Sequence, residues 1–153
     1  MCIRDSTITE IGIKYRFLEE SENYPQLGIF PALEIPKSFK LNEIQVFLPL
    51  WMQKSFHKVT TYGGVGYWII PGKENLNWIF AGWQIQYNIN DIISQGVEVI
   101  YHTKQSNEDI QQLSINFGGN VNFNRNFHFL YSIGHSLTGN NCFLAYFGIL
   151  ITV

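Results

Sequence analysis

The stretch LSINFGGNVNF, residues 113–123, alternates between apolar and polar side chains almost without interruption. One set of alternate positions, which we call the apolar parity, holds Leu113, Ile115, Phe117, Val121 and Phe123. The other set, the polar parity, holds Ser114, Asn116, Asn120 and Asn122. Successive side chains of a β-strand point to opposite faces, so this pattern predicts a strand with one apolar and one polar face. The fold and the function depend on what contacts the apolar face: a protein core or the hydrocarbon of a membrane.

The same alternation recurs from Thr7 onward, without a convincing helix and without an apolar run near the ~18 residues of a membrane helix. We predict an all-β, antiparallel up-and-down meander of about nine long strands. The predicted strands are 8–18, 25–35, 43–56, 59–70, 76–89, 92–103, 112–123, 127–136 and 143–153. Pro31 and Pro49 fall inside strands and cannot donate to a ladder, so we expect bulges there.

Composition separates this chain from ordinary soluble domains. Hydrophobic residues make up 46% of the sequence and charged residues only 14%, against about 25% charged in a typical soluble domain. The net charge of −2 and the lack of a basic stripe argue against a nucleic-acid partner. The four histidines and two cysteines lack the spacing of a metal site, and neighbours such as His135 and Ser136 point to opposite faces of a strand and cannot pair as nucleophile and base. We therefore predict no metal, no cofactor and no catalytic residue.

The connections between the predicted strands alternate in length. Tight ones lie around FHKV, NIND and FNRNF, and longer polar ones are PKSFKLN, PGKENL, TKQSNEDIQ and LTGNNC. Short turns on one rim and long loops on the other are typical of outer-membrane barrels. The pattern therefore predicts a transmembrane β-barrel in a Gram-negative outer membrane, with the last strand running toward the periplasm.

The placement of charge favours lipid on the apolar side. The predicted strands contain few charged residues, namely Glu10, Lys14, Arg16, Glu34, Lys54 and Glu98. All but Lys54 share the polar parity, which also carries four bulky rings, Phe47, Trp51, Trp68 and Phe80. A water-facing surface normally carries Lys and Glu freely, so this parity fits a crowded lumen better. The alternative is a soluble, lipocalin-like carrier with its apolar parity inside.

Three stretches carry a family resemblance: LGIFPALEIP (27–36), QVFLPLWMQKSF (45–56) and TTYGGVGYWIIPG (60–72). Together they resemble the MetA-pathway of phenol degradation family, bacterial outer-membrane barrels often described as transporters. The resemblance runs from Thr7 to the C-terminus and implies a barrel with a signal peptide and further strands upstream. It carries over no catalytic residue. Outer-membrane strands commonly finish on an aromatic residue, and this chain departs from that pattern at Val153.

The first residues are expected to lie outside the fold. Residues 1–6, MCIRDS, match the translation of a transposon sequencing adapter and are interpreted as an artefact. Residues 7–153 are then the C-terminal portion of a single β-barrel domain whose N-terminal strands are missing. Bacterial single-chain barrels have even strand numbers. An odd count therefore predicts an open, curved sheet, or closure by an unusual parallel pairing.

The polar parity supplies the candidate lumen-lining residues, which are Lys14, Arg16, Glu34, Trp51, Gln84, Gln86, Glu98, His102, Asn116 and His128. We expect them to surround a passage for small solutes, apolar or aromatic ones among them, inside a wall that contacts outer-membrane lipid. No oligomeric state is predicted.

Two alternatives remain open for these polar residues. A barrel enzyme acting on lipids is the rival function, and Glu98, His102 and Ser136 are its first suspects. Glu98 and His102 can instead belong to a structural hydrogen-bond network. Glu34 is expected to interact with the mixed charge of the first strand, carried by Glu10, Lys14 and Arg16. The interaction is either an ion pair that only fills space or part of a charge ladder that tunes solute selectivity.

Overall fold

The computed structural model describes residues 8–36, 44–72 and 76–152, so the expected adapter, 1–6, lies outside the described residues. The described part of the chain contains strands, turns and loops, and no helix. In chain order the strands are β1 (Ile8–Gly12), β2 (Tyr15–Leu18), β3 (Gln26–Ile29), β4 (Ala32–Pro36), β5 (Gln45–Phe56), β6 (Val59–Ile69), β7 (Trp78–Asn88), β8 (Ile93–His102), β9 (Gln112–Asn122), β10 (Phe127–Thr138) and β11 (Phe143–Ile151). The all-β prediction is confirmed.

All the strands belong to one antiparallel sheet with the path β1-β4-β5-β6-β7-β8-β9-β10-β11, while β2 pairs with β3 and β3 with β5. The number of residues from Gly12 to Tyr15 equals the number from Ile29 to Ala32, and these residues pair as Gly12–Ala32 and Tyr15–Ile29. The segments β1 and β2 are therefore two parts of one interrupted strand, which we call the first strand line, and β3 and β4 are the two parts of the second strand line. The predicted meander is confirmed, except that its first two strands are each divided in two.

The division of the second line lies at the two prolines. Ile29 of β3 pairs with Leu50, and Ala32 of β4 pairs with Phe47. The number of residues between Ile29 and Ala32 therefore equals the number between Phe47 and Leu50. On the other side of β5 the ladder continues through the Pro49–Gly66 pair without a shift in register. The bulges predicted at Pro31 and Pro49 are therefore wrong. Since proline has no N–H to donate, the ladder is interrupted there without an inserted residue.

The turns at one rim are short and are stabilised locally. β5 and β6 are joined at His57 and Lys58, where His57 adopts the left-handed φ of 54°. Asn90 Oδ1 accepts hydrogen bonds from the backbone N–H groups of Ile92 and Ile93, at 2.9 and 2.8 Å. At the other rim 70–77 and 103–111 are longer, but the connection 139–142 is as short as 89–92. The expected long loop before the last strand is wrong, because β10 extends to Thr138.

The side chains divide the sheet into an outer and an inner face. The outer face carries the apolar parity: Phe117 is 60% exposed, Ile149 63% and Trp83 42%. The inner face carries the polar parity, and Asn116 there is only 8% exposed. Soluble domains place their apolar side chains inside. The orientation required by a lipocalin-like carrier is thus the reverse of the observed one.

The inner face is concave, and the sheet is open. Lys14, between β1 and β2, lines the same cavity as Gln84 and Gln86 of β7, although β5 and β6 lie between them in the sheet. The pairing path ends at β1 and at β11, which run in the same direction because each step along the path is antiparallel. The described strands therefore form the open, curved sheet that the sequence predicts.

Candidate functional site

An aromatic cluster covers the inner face of β5, β6 and β7. Its members are Phe47, Trp51, Tyr62, Trp68, Trp78 and Phe80. The Phe47 and Trp68 rings stack with centroids 4.4 Å apart, and the Trp68 and Trp78 rings stack at 5.4 Å. Trp51 stacks on Tyr62 at 5.3 Å. Such pairs contribute about 0.5–1.5 kcal/mol each beyond the burial of their area, so the cluster is a well-supported apolar wall.

Two glycines of β6 allow these rings to lie flat against the strand. A Cβ atom on Gly66 would lie 2.2 Å from the Phe47 ring, and one on Gly64 would lie 2.9 Å from the Trp51 ring and 2.0 Å from the backbone oxygen of Leu50. A strand glycine often marks such a close approach. The GGVG run at 63–66 thus serves the packing of the aromatic cluster.

An amide network occupies the inner face of β7 and β9. Gln84 Nε2 donates to Gln86 Oε1 at 3.2 Å, and Gln86 Nε2 donates to Asn88 Oδ1 at 3.2 Å. On β9, Asn120 Nδ2 donates to Asn122 Oδ1 at 2.9 Å. Side chains two positions apart point to the same side of a strand, so each amide meets the next along the strand. The result is a polar wall beside the aromatic cluster.

The predicted residues Glu98, His102 and His128 find different partners. Glu98 Oε2 accepts a hydrogen bond of 3.2 Å from Asn116 Nδ2. His102 Nδ1 lies 3.0 Å from its neighbour's carbonyl oxygen, and the His102 ring contacts the edge of Trp78 with centroids 5.8 Å apart. His128 Nδ1 lies 2.7 Å from Asn122 Oδ1 and so joins the amide network. Glu98 and His102 therefore bond to separate groups on the same face.

The charged side chains of the first two predicted strands include one ion pair, between Arg16 and Glu19. Arg16 Nη2 lies 2.9 Å from Glu19 Oε1, and Arg16 Nη1 donates to Gln26 Oε1 at 3.1 Å. Glu34 stands opposite Glu10 in the β1–β4 ladder. The predicted interaction of Glu34 with the charges of the first strand stays a prediction.

Three adjoining cavities bring most of the predicted residues together. The ring cavity, of about 480 Å³, is lined by Lys14, Arg16 and Trp51. The central cavity, of about 490 Å³, is lined by Lys14, Gln84 and Gln86. The amide cavity, of about 180 Å³, is lined by Gln84, Gln86, Glu98 and Asn116. Glu34, His102 and His128 lie on the inner face outside these three cavities.

Sequence reasoning did not single out Tyr62, Trp78 and Gln53. Tyr62 and Gln53 line both the ring cavity and the central cavity, and Trp78 belongs to the aromatic cluster. Each of the three lies on the same face of its strand as one of the rings Phe47, Trp51, Trp68 and Phe80. The alternating pattern could therefore have identified them. Within the described residues, the buried atoms Trp78 Nε1 and Asn116 Oδ1 have no hydrogen-bond partner.

The suspects for lipid chemistry are not arranged as a nucleophile and a base. Ser136 Oγ accepts a hydrogen bond of 2.8 Å from the backbone N–H of Cys142, and Ser136 is buried. His102 Nδ1 lies against the carbonyl oxygen of Thr103. A catalytic pair needs the base within hydrogen-bond reach of the nucleophile, whereas Ser136 and His102 each contact a backbone group instead. No group of three metal-ligating side chains occurs among the residues described.

No protein-family model matches the chain, and no curated protein matches it. The resemblance to the MetA-pathway of phenol degradation family therefore stays a prediction. Within the described ranges, no helix has the length and apolar character needed to cross a membrane.

Proposed function

We propose that this chain forms part of an outer-membrane β-barrel that passes small solutes, apolar or aromatic ones among them. The outer face would contact lipid, and the inner face would line a water-filled passage. The observation that carries this proposal is the distribution of side chains: Phe117 and Ile149 are more than half exposed, while Asn116 is buried.

The exposed apolar side chains of the outer face support a lipid environment, because their contact with water is energetically unfavourable. Each square ångström of apolar surface left in water costs about 25 cal/mol. Large apolar side chains are exposed on every long strand, as Leu48, Val65, Ile85, Val97, Ile133 and Phe147 illustrate. Contiguous apolar surfaces of this kind mark a contact with another protein or a membrane.

The strand lengths agree with a membrane span. A tilted strand needs about 9–11 residues to cross the hydrocarbon, and β5, β6 and β7 contain 12, 11 and 11 residues. Lipid cannot satisfy an unpaired backbone amide, so a spanning sheet has to be closed. Closure of this sheet requires further pairing of β1 and β11, by strands of the same polypeptide or of another chain.

Solute flux through proteoliposomes tests the passage. The protein is expressed from its native gene, reconstituted, and compared with empty liposomes for the uptake of arabinose. Gln86→Trp adds bulk between the central and amide cavities, and Gln95→Trp is the matched control on the outer face of β8. We expect Gln86→Trp to reduce flux severalfold and Gln95→Trp to leave it unchanged. Flux no greater than in empty liposomes, or equal loss in both variants, would contradict the proposal.

A further inference from the structure

The ring cavity combines an aromatic platform with a ring-sized space. Trp51 and Tyr62 stack with their planes only 4° apart, and Tyr62 remains 38% exposed. Phe30 lines the same cavity from the segment between β3 and β4. Its volume of about 480 Å³ falls within the roughly 300–1,000 Å³ of sites for small molecules. The stacked aromatic lining and this volume suit a planar ring.

The cavity also carries uncompensated positive charge. Lys14 lines both the ring cavity and the central cavity, is exposed, and makes no hydrogen bond or ion pair with another described residue. Arg16 lines the ring cavity too, but Glu19 already neutralises it at 2.9 Å. Neither cavity is lined by a carboxylate from the described part of the chain. Lys14 is consequently the charge available to a ligand.

We propose that the ring cavity binds small aromatic anions, with the Trp51–Tyr62 stack contacting the ring and Lys14 contacting the anionic group. This inference names the class of solute for the passage proposed above and rests on that function for its physiological role. Gln26 and Gln53, which also line the cavity, place amide groups beside the anion. A charge-assisted hydrogen bond is stronger than a neutral one, so the anionic group should add selectivity to the affinity given by stacking.

Binding of benzenesulfonate to the chain in detergent micelles tests the proposal by calorimetry. This probe stays ionised at ordinary pH, which removes titration of the ligand from the result. Methanesulfonate supplies the anion without the ring, and phenyltrimethylammonium supplies the ring with the opposite charge. We expect benzenesulfonate to bind about tenfold more tightly than either. Equal affinity for all three would overturn the proposal, and this comparison requires no variant to fold.

Two pairs of variants identify the residues. Lys14→Met should weaken benzenesulfonate binding about tenfold, whereas Lys58→Met, the same charge change in the exposed β5–β6 turn, should not. Trp51→Leu should weaken it about fivefold, whereas Trp83→Leu on the outer face should leave it unchanged. Equal effects within either pair would overturn the assigned contacts.

The two proposals fail separately. Flux of arabinose through a protein that does not bind benzenesulfonate would overturn the aromatic-anion site and leave the passage. Selective, Lys14-dependent binding by a protein that passes no solute would support the site and contradict the passage.

Discussion

The outer and inner faces of this sheet are built from alternate residues of the same strands, yet they differ in almost every physical property. On β9, Phe117 is 60% exposed and its neighbour Asn116 is 8% exposed. The outer side chains project from a convex surface with few contacts, while the inner ones meet across a concave surface. The apolar side of a strand pattern is therefore not always the covered side.

The largest effect should come from placing a charge on the outer face. Phe117 lies at the middle of β9, and Phe123 lies just beyond its end, with exposures of 60% and 63%. In a bilayer, Phe117→Arg should destabilise the protein by roughly 2–4 kcal/mol and Phe123→Arg by about 0–1 kcal/mol. Urea unfolding in lipid vesicles measures both. If water covers this face instead, the two changes should have equally small effects.

A smaller effect should come from crowding the inner face. Gly64 and Gly82 are partners in the β6–β7 ladder. A Cβ atom on Gly64 would lie 2.0 Å from Leu50 O, whereas one on Gly82 would meet its nearest atom at 3.6 Å. We expect Gly64→Ala to lower the free energy of unfolding by about 1–3 kcal/mol and Gly82→Ala to be near neutral. Equal urea midpoints for these variants would show that the aromatic cluster packs differently.

The hydrogen bond between Asn116 and Glu98 lies on the covered inner face, so its loss should cost more than a change in an exposed loop. Asn116→Ala removes the donor to Glu98 Oε2 and should cost about 1–2 kcal/mol, because the carboxylate loses a hydrogen bond in a covered position. Asn140→Ala, at an exposed position of the 139–142 connection, is the matched control and should change the unfolding free energy by less than about 0.5 kcal/mol. An equal loss in both variants would argue against a stabilising Asn116–Glu98 hydrogen bond.

The smallest effect concerns a polar pair on the apolar side. Gln95 Nε2 donates to Tyr131 OH at 3.0 Å on the outer face. Tyr131→Phe should cost about 0.5–1 kcal/mol because it leaves the Gln95 amide without this acceptor. Adding Gln95→Leu should restore the loss in lipid, since no polar group then remains unpaired. A double variant less stable than Tyr131→Phe would contradict a lipid contact at this position.

Much of the fold followed from local pattern. The predicted strand 112–123 became β9 (Gln112–Asn122) and 59–70 became β6 (Val59–Ile69), because strict alternation leaves few other structures. The first two lines were less predictable. Their interruption near Pro31 depends on which residues face each other across β5, and neighbouring residues in the sequence do not contain that information.

The candidate site was likewise predictable only in part: the face of each residue followed from the pattern, and its bonding partner did not. Parity placed Trp51, Glu98 and Asn116 on one face. It could not show that Asn116, rather than His102, bonds to Glu98, because cross-strand partners depend on register. The pairing of Arg16 with Glu19 likewise depends on the path of a loop.

The amino-acid pattern was enough to predict the strands, their antiparallel order and the two chemically distinct parities, since the period of a β-strand is fixed by backbone geometry. The position of the polar parity on the concave side, and the cavity that Lys14 shares with Gln86, depend on the three-dimensional arrangement of the strands. Curvature brings distant strand lines together, and it arises from the packing of the whole sheet rather than from any one segment.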